Sequence, residues 1–533
     1  MPNNMYVCGN ERGAESNEHA TNRTRRGYLK GVLGVGVAGA GVRLGSGVGA
    51  ATTSTDMSEL FEEYDRVYDV VEAGADNTGN QPINDVLERL RGDNTLLVFP
   101  PGRYRMDRQF RYSDFEQFGL VGNDATLVPA NYHEFDGPQY RLFRLGVHYA
   151  PGADIRFEGF EVDFTADDTG IRVIDALASE RLLVRDVDVV GEHDSGTWGP
   201  GRFCVTDPDG VGIVERFRAP DGGAWVDETP NDGNLWKGPS GIISNVHNHG
   251  ELTFRDCELG AFPDNGLYAS GGTGKIVVDG GLYKNSDTAN IRLGGTESEI
   301  RNATVVVDDN RPQDVNQRAI RLENGENLAV RDTDIRIRSV NGHALTVMNT
   351  CESTWIQDVR ISMAGDKVKH GIVISPEAGE TTVYRTAIDM NIPGGYGIKL
   401  TDSNRTARVN CEEVKITGDV GDEGARSGIF CARDNVRFSM VTVDQTGVGH
   451  RRAIENVGDD CKLYGGEYLA SERPICNYGN GFRVESVYAE SDDDYYGLYL
   501  YEPSRDAYVK KSTLVGGIYD KTEDKLRAWG NEF

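Results

Sequence analysis

Gly241-Ile242-Ile243, Gly266-Leu267-Tyr268, Asn290-Ile291-Arg292-Leu293 and Ala319-Ile320-Arg321-Leu322 share one form, a small or polar residue opening a short apolar strand. The form continues through Ala344-Leu345, Gly371-Ile372, Gly397-Ile398, Gly428-Ile429, Ala453-Ile454 and Pro474-Ile475. Successive anchors lie 25, 24, 29, 25, 27, 26, 31, 25 and 21 residues apart, which is a solenoid period. A second signature follows each anchor: Val184-Arg185-Asp186, Phe254-Arg255-Asp256, Ile300-Arg301-Asn302, Val330-Arg331-Asp332 and Ile356-Gln357-Asp358. Asp and Asn are disfavoured inside a strand, yet both tolerate the left-handed conformation of a sharp corner. Each repeat therefore reads as strand, loop, strand, one-residue corner, strand. Side-chain alternation sends one set to the core and the other to solvent.

Leucine-rich repeats share the period but need an LxxLxL spacing that is absent, and propeller blades are longer, with four strands each. The reading is an all-β chain, a right-handed parallel β-helix with three short strands per coil of about 25 residues. Its open end needs a cover. Pro82-Ile83-Asn84-Asp85-Val86-Leu87-Glu88-Arg89-Leu90 offers a capping helix, with Ile83, Val86, Leu87 and Leu90 on one side. The expected organisation is an export signal over 1–50, a linker over 51–65, and cap and first coils over 66–130. The β-helix then runs over 131–505, interrupted at 190–240, and a tail closes the chain over 506–533.

The formal net charge is −28, spread along the chain, with 13 lysines against 43 arginines. This excludes a phosphate-binding surface for nucleic acid and adhesion to anionic lipid. Dispersed carboxylates with scarce lysine are similar to the acidic habit of extreme halophile proteins, which keeps surfaces hydrated in molar salt. Thr24-Arg25-Arg26-Gly27-Tyr28-Leu29-Lys30, before the glycine-diluted apolar stretch 31–42, resembles a twin-arginine export signal. That stretch is too short to span a bilayer, so an extracellular or cell-surface protein without a membrane span is expected. Eight cysteines occur, Cys8 within the leader; the other seven form no CxxC pair and are expected as small buried hydrophobes, with one or two bridges left open outside the cytoplasm.

Tyr68-Asp69-Val70-Val71-Glu72-Ala73-Gly74-Ala75-Asp76-Asn77-Thr78-Gly79, then the helix, then Leu97-Val98-Phe99-Pro100-Pro101-Gly102-Arg103-Tyr104, resemble the amino-terminal signature of the pectate-lyase-like β-helix superfamily. The resemblance implies a polysaccharide partner and leaves the reaction open, since members include lyases, polygalacturonases, epimerases and tailspikes. Polygalacturonases carry an Asp-Asp pair where Leu345-Thr346-Val347-Met348 stands, one coil before His370-Gly371, and hydrolysis without paired carboxylates lacks its acid and base. Arg311-Pro312 alone resembles the pectate-lyase strand, so calcium stays open as a cofactor and no metal ligand is assigned. Asn265-Gly266-Leu267-Tyr268 followed by Lys284-Asn285-Ser286-Asp287-Thr288-Ala289-Asn290-Ile291-Arg292 is similar to the site motif of alginate-lyase-like β-helices.

β-Elimination from a uronate needs a base at C5, a cation on the carboxylate and an acid at the leaving oxygen. Tyr268, Lys284 and His247 suit the proton transfers and Arg292 the carboxylate. Asn245, His249, Tyr283 and Asn290 stand beside them as substrate-binding candidates. The interruption at 190–240 carries Trp198, Trp225 and Trp236, three of the five tryptophans, whose faces suit sugar rings. The leading expectation is a secreted polysaccharide lyase. The alternatives are a non-catalytic glycan-binding or envelope protein, and a glycoside hydrolase or uronan epimerase; monomer and homotrimer both stay open.

Overall fold

The structure, a computed structural model, describes residues 59–533 apart from 138–139, 232–234, 404–405, 448, 523 and 525. The expected signal and residues 51–58 of the linker lie outside the described residues. All pairings between the chain's strands are parallel and join them into one continuous sheet wound into a solenoid. Asn265–Ala269, Ile276–Asp279 and Leu282–Lys284 form one coil, and each stacks on its counterpart in the next, Ala289–Thr296, Glu299–Arg301 and Thr304–Val307. Three ladders result, here named the anchor, middle and third faces. Alternation places Leu267, Ile291, Leu293, Ile320 and Leu322 in a core running from Val70 to Leu514.

The corners behave as the signature requires. Asp186, Asp256, Asn302, Asp332 and Asp358 all take left-handed φ, between 45° and 53° or, at Asn302, 56°. Later coils turn the same corner on Arg385, Glu413 and Met440, residues that gain nothing locally from this conformation. Met440 stands at φ 53° with its side chain 60% exposed. Met440→Gly removes a left-handed penalty of about 1–2 kcal/mol and adds an unfolded-state entropy cost of about 0.5–1 kcal/mol. The variant is expected to be more stable by about 0.5–1 kcal/mol, read as a higher denaturant midpoint.

The capping helix runs over Asn84–Leu90, with Val86 and Leu87 buried and Ile83 at its start. Pro82 belongs instead to the preceding strand, Thr78–Pro82. Three expected boundaries are corrected. Residues 59–65 are not a free linker, because Leu60 and Tyr64 are buried against Leu96 and Val121. The stretch 190–240 contains a coil of its own: Gly201–Val205 joins the anchor face and Val211–Ala219 spans the other two. Its glycine-rich, polar flanks concealed that coil; among the described residues 191–200, 206–210, 220–231 and 235–241 lie outside its strands. The expected tail also continues the stack, through Tyr508–Lys510, Ile518–Asp520 and Arg527–Trp529. The seven cysteines within the described residues are buried and free. Among the described residues no helix is long and apolar enough to cross a membrane.

Candidate functional site

On the anchor face the outward residues form a column in register: Asp175, Arg202, Ile243, Tyr268, Arg292, Arg321, Thr346, Val373, Lys399 and Phe430. Tyr268 and Arg292 are direct neighbours, and the guanidinium carbon of Arg292 lies 4.3 Å from the tyrosine ring centroid. Arg292 Nε donates to Glu323 Oε1 at 2.6 Å, and Arg321 reaches Glu323 Oε2 at 2.7 Å. Ser270 Oγ and Asn324 Nδ2 donate to the same carboxylate at 3.2 and 3.3 Å. Burial raises the Tyr268 phenol above its ordinary pKa against the lowering effect of Arg292, so it stays protonated at neutral pH. Burial would lower Arg292, but Glu323, Tyr268 and Asp264 together outweigh it and hold the guanidinium above its usual value.

Asp264 stands on the same coil as Tyr268 and accepts from Ser240 Oγ at 3.0 Å. Burial raises its carboxyl, opposed by the hydrogen bonds of Ser240 and Thr288 and by the charges of Arg292 and Lys237. Lys237 in turn pairs with the wholly buried Asp287, whose other oxygen accepts from the backbone of Val315 at 2.6 Å and Asn316 at 3.0 Å. This clip joins the loop at 220–241 and the loop at 308–319 beside the column. Trp225 is buried in the clip, with Arg311 5.5 Å and Lys237 5.6 Å from its ring. Trp236 is 62% exposed, with Lys237 at 4.7 Å. Trp198 lies apart, with Arg172 5.7 Å from its ring.

Toward the amino terminus, Asp175 is buried and shared by Arg141 at 2.9 Å, Arg202 at 3.3 Å and Arg172 at 3.9 Å. Arg202 also donates to Asn245 Oδ1 at 3.4 Å. His247 stacks on His148 at 4.6 Å, and burial, aided by Arg202, pulls its pKa down to about 4. His249 Nδ1 lies 2.8 Å from Thr273 Oγ1. Ser244, Asn245, Asn248 and Ser270 line a crevice too small to admit water between this group and the Tyr268 coil. Toward the carboxyl terminus, His343, His370, Tyr396 and Phe430 stack ring on ring along the edge of the face, at 4.8, 4.9 and 5.1 Å.

Of the residues singled out from the sequence, the fold brings Tyr268 and Arg292 into contact. Lys284 sits on the third face, on the strand Leu282–Lys284, with its ammonium 3.7 Å from Asp308. Tyr283 points into the core, its hydroxyl buried without a partner. Asn290 is also buried, its side chain bonding Ser286 N at 3.0 Å and Arg318 O at 3.0 Å, a backbone-shaping role. Arg321, Glu323, Asp264, Asp287 and Lys237 were not anticipated. Arg321 repeats the position of Arg292 in the next coil, so the period itself carried that signal. Among the described residues no group of three His, Cys, Asp or Glu side chains is gathered as metal ligands would be.

No protein-family model and no characterised protein sequence matches the chain. Among solved structures, the catalytic unit of a GH87 alpha-1,3-glucanase from Streptomyces thermodiastaticus is similar at 12% identity, covering 88% of this chain and 69% of its own, with a TM-score of 0.33. PfbA, a surface adhesin of Streptococcus pneumoniae, is similar at 10% identity over 87% of this chain and 91% of its own, with a TM-score of 0.31. Tailspike protein 3 of bacteriophage CBA120 is similar at 9% identity over 89% of this chain and 61% of its own, with a TM-score of 0.35.

A hollow of about 650 Å³ lies elsewhere in the surface, lined by Glu63, Asp154, Arg156 and Arg181. Its charges are spent on each other: Arg156 pairs with Glu63 and Arg181 with Asp154. On the anchor face the positive groups outnumber the carboxylates that face them. Electrostatically, this face suits an anion.

Proposed function

We propose that the protein acts outside the cell on an anionic, uronate-containing polysaccharide laid along the anchor face. The observation that supports this is the outward run of Arg202, Arg292, Arg321 and Lys399 on one face of a chain whose net charge is −28. Asp175 and Glu323 engage three of these cations in the free protein, and the carboxylates of a polyuronate would compete for them along the strip. The finer reading is a lyase. Arg292 and Arg321 take the uronate carboxylate, the C5 proton leaves to a base, and its electron pair closes the C4–C5 double bond. The glycosidic oxygen departs from C4 with the proton of Tyr268, whose raised pKa suits an acid. His247, neutral at neutral pH and on the preceding coil, is the base this reading uses. Lys284, committed to Asp308 on another face, takes no part.

Incubating the protein with alginate, polygalacturonate and hyaluronan tests both levels. Accumulation of unsaturated, ultraviolet-absorbing product that disappears in Tyr268→Phe supports the lyase. Retention of the polymers without product supports a binding protein, which the lack of a hydrogen-bonded base at the Tyr268 hydroxyl among the described residues favours. No retention and no product would remove the proposal.

A further inference from the structure

The last coils of the anchor face carry a second chemical feature, composed of tyrosine. Tyr478, Tyr495, Tyr496, Tyr499, Tyr501 and Tyr519 gather there, and with Tyr488 and Tyr508 the last 56 residues hold eight of the chain's 23 tyrosines. Tyr499 and Tyr519 belong to the same outward column as Arg292, through Glu455 and Cys476. Tyr478 and Tyr501 stack at 4.7 Å with 12° between their planes, and Tyr499 stacks on Tyr501 at 5.9 Å and 15°. Tyr519 joins Tyr499 at 5.3 Å, and Tyr496 meets both. Arg473 lies 5.3 Å from the Tyr499 ring and Lys521 5.3 Å from that of Tyr519.

Tyr499 is packed away at 5% exposure, but packing does not account for the other rings. Tyr478, Tyr501 and Tyr519 are half-buried and Tyr496 is 43% exposed, so they stand on the outside of the solenoid and add nothing to its core. A tyrosine of this kind offers an apolar ring and a polar tip at once. Among the described residues the hydroxyls of Tyr501 and Tyr519 have no hydrogen-bond partner, while that of Tyr478 accepts from Arg452 and that of Tyr499 accepts from Tyr496 N at 3.1 Å. Free phenols beside apolar ring surface match a sugar, which presents hydroxyls around the edge of an apolar C–H face. The carboxylates here are engaged already: Glu455 pairs with Arg452 at 2.9 Å and Glu472 with Arg473 at 3.1 Å.

We infer that this patch is a distal holding platform for the same polysaccharide, gripping sugar rings by stacking and hydrogen bonds where the Arg292 coil grips carboxylates. The inference rests on the polysaccharide reading above. Eight strand steps separate Arg292 from Tyr499 along the column, about 38 Å, so only a long chain spans both. The two grips differ in their response to salt. At about 1 M ionic strength the Debye length is roughly 3 Å, which weakens the exposed charge contacts. Stacking is not screened. The tyrosines therefore keep a polymer bound under the molar salt that the acidic composition anticipates.

The experiment is retention of alginate and polygalacturonate on the full chain, at low salt and in molar sodium chloride. The wild type is expected to bind at both. Tyr478→Leu/Tyr501→Leu/Tyr519→Leu, checked for an unchanged melting temperature, should lose affinity about tenfold in high salt and little in low salt. The matching phenylalanine triple variant keeps the rings and should retain most of the high-salt binding, which guards against a folding effect. Arg292→Ala should show the opposite pattern, a loss concentrated at low salt. A leucine variant that binds like wild type in high salt would overturn the platform while leaving the Arg292 reading intact. A wild type that binds neither polymer at either salt would overturn both.

Discussion

Asp175→Ala is expected to destabilise the amino-terminal coils by about 3–5 kcal/mol, the largest stability effect of any single change on the anchor face. Asp175 is fully buried and serves as the common counter-ion of Arg141, Arg172 and Arg202. Arg141 and Arg172 are themselves nearly inaccessible, so removing the carboxylate leaves adjacent buried cations facing one another. Arg141 already sits near its limit, since burial pulls its pKa down to about 10 even with Asp175 present. Asp175→Asn, which keeps volume and hydrogen bonding, should cost less. A solenoid's stability is a sum over coils, so the loss should be local. Hydrogen exchange should accelerate in Arg141–Leu145 and Gly201–Val205 and stay unchanged in the coils beyond Leu345. The pH dependence has a definite sign. Burial alone would raise the Asp175 carboxyl, and Arg202, Arg141 and Arg172 outweigh it and hold it well below the usual range. A depressed folded-state pKa means the contribution is complete above an ordinary carboxylate pKa of about 3.9 and fades as pH falls toward the lowered value. The wild type should therefore exceed Asp175→Ala at neutral pH, and the gap should narrow only in strong acid. Equal stability at neutral pH would show that the arginines relax into water.

Some of this was legible in the chain before any coordinates and some was not, for a physical reason. The anchor strands and their corners repeat because each coil must bury the same apolar pair and make the same left-handed turn. Ile291 and Ile320, or Asp256 and Asn302, thus announce themselves by period. Alternation then places Tyr268 and Arg292 outward on neighbouring strands, and that is where they are. Lys284 was grouped with them because it is close in sequence. It lies before the corner at Asn285, whose φ of 57° turns the chain, and so faces another side of the coil. The partners of the site come from variable loops, which carry no period. Lys237 and Asp287 are 50 residues apart, and Arg311 reaches Gly223 across 88. Nothing in strand alternation anticipates either meeting. Glu323 fell between these cases: it is outward by alternation, but recognising it as the partner of Arg292 required the exact stacking of coils whose loops differ in length.

The Arg292–Glu323 pair yields the sharpest functional test, because its two halves should move binding in opposite directions. Arg292→Ala is expected to weaken low-salt binding of a uronate polymer about hundredfold, the scale for truncating one partner of a desolvated charge pair. Arg292→Lys should recover little. Lysine cannot reproduce the Nε contact to Glu323 or the planar guanidinium lying over the Tyr268 ring. Glu323→Gln should instead tighten binding. In the free protein Glu323 occupies the donors of both Arg292 and Arg321, which a substrate carboxylate must recruit. Removing its charge withdraws the competitor and leaves two cations in register on adjacent strands. The same change should lower stability, since those cations then repel one another across a strand spacing of about 4.8 Å. Titration of each variant with alginate, paired with a denaturation midpoint, reads affinity and stability separately. A purely architectural role for the cluster predicts that both substitutions lower stability and neither alters affinity. A ligand-binding role predicts that affinity and stability part company at Glu323, and that divergence is the observation on which the anion-binding assignment of this face stands or falls.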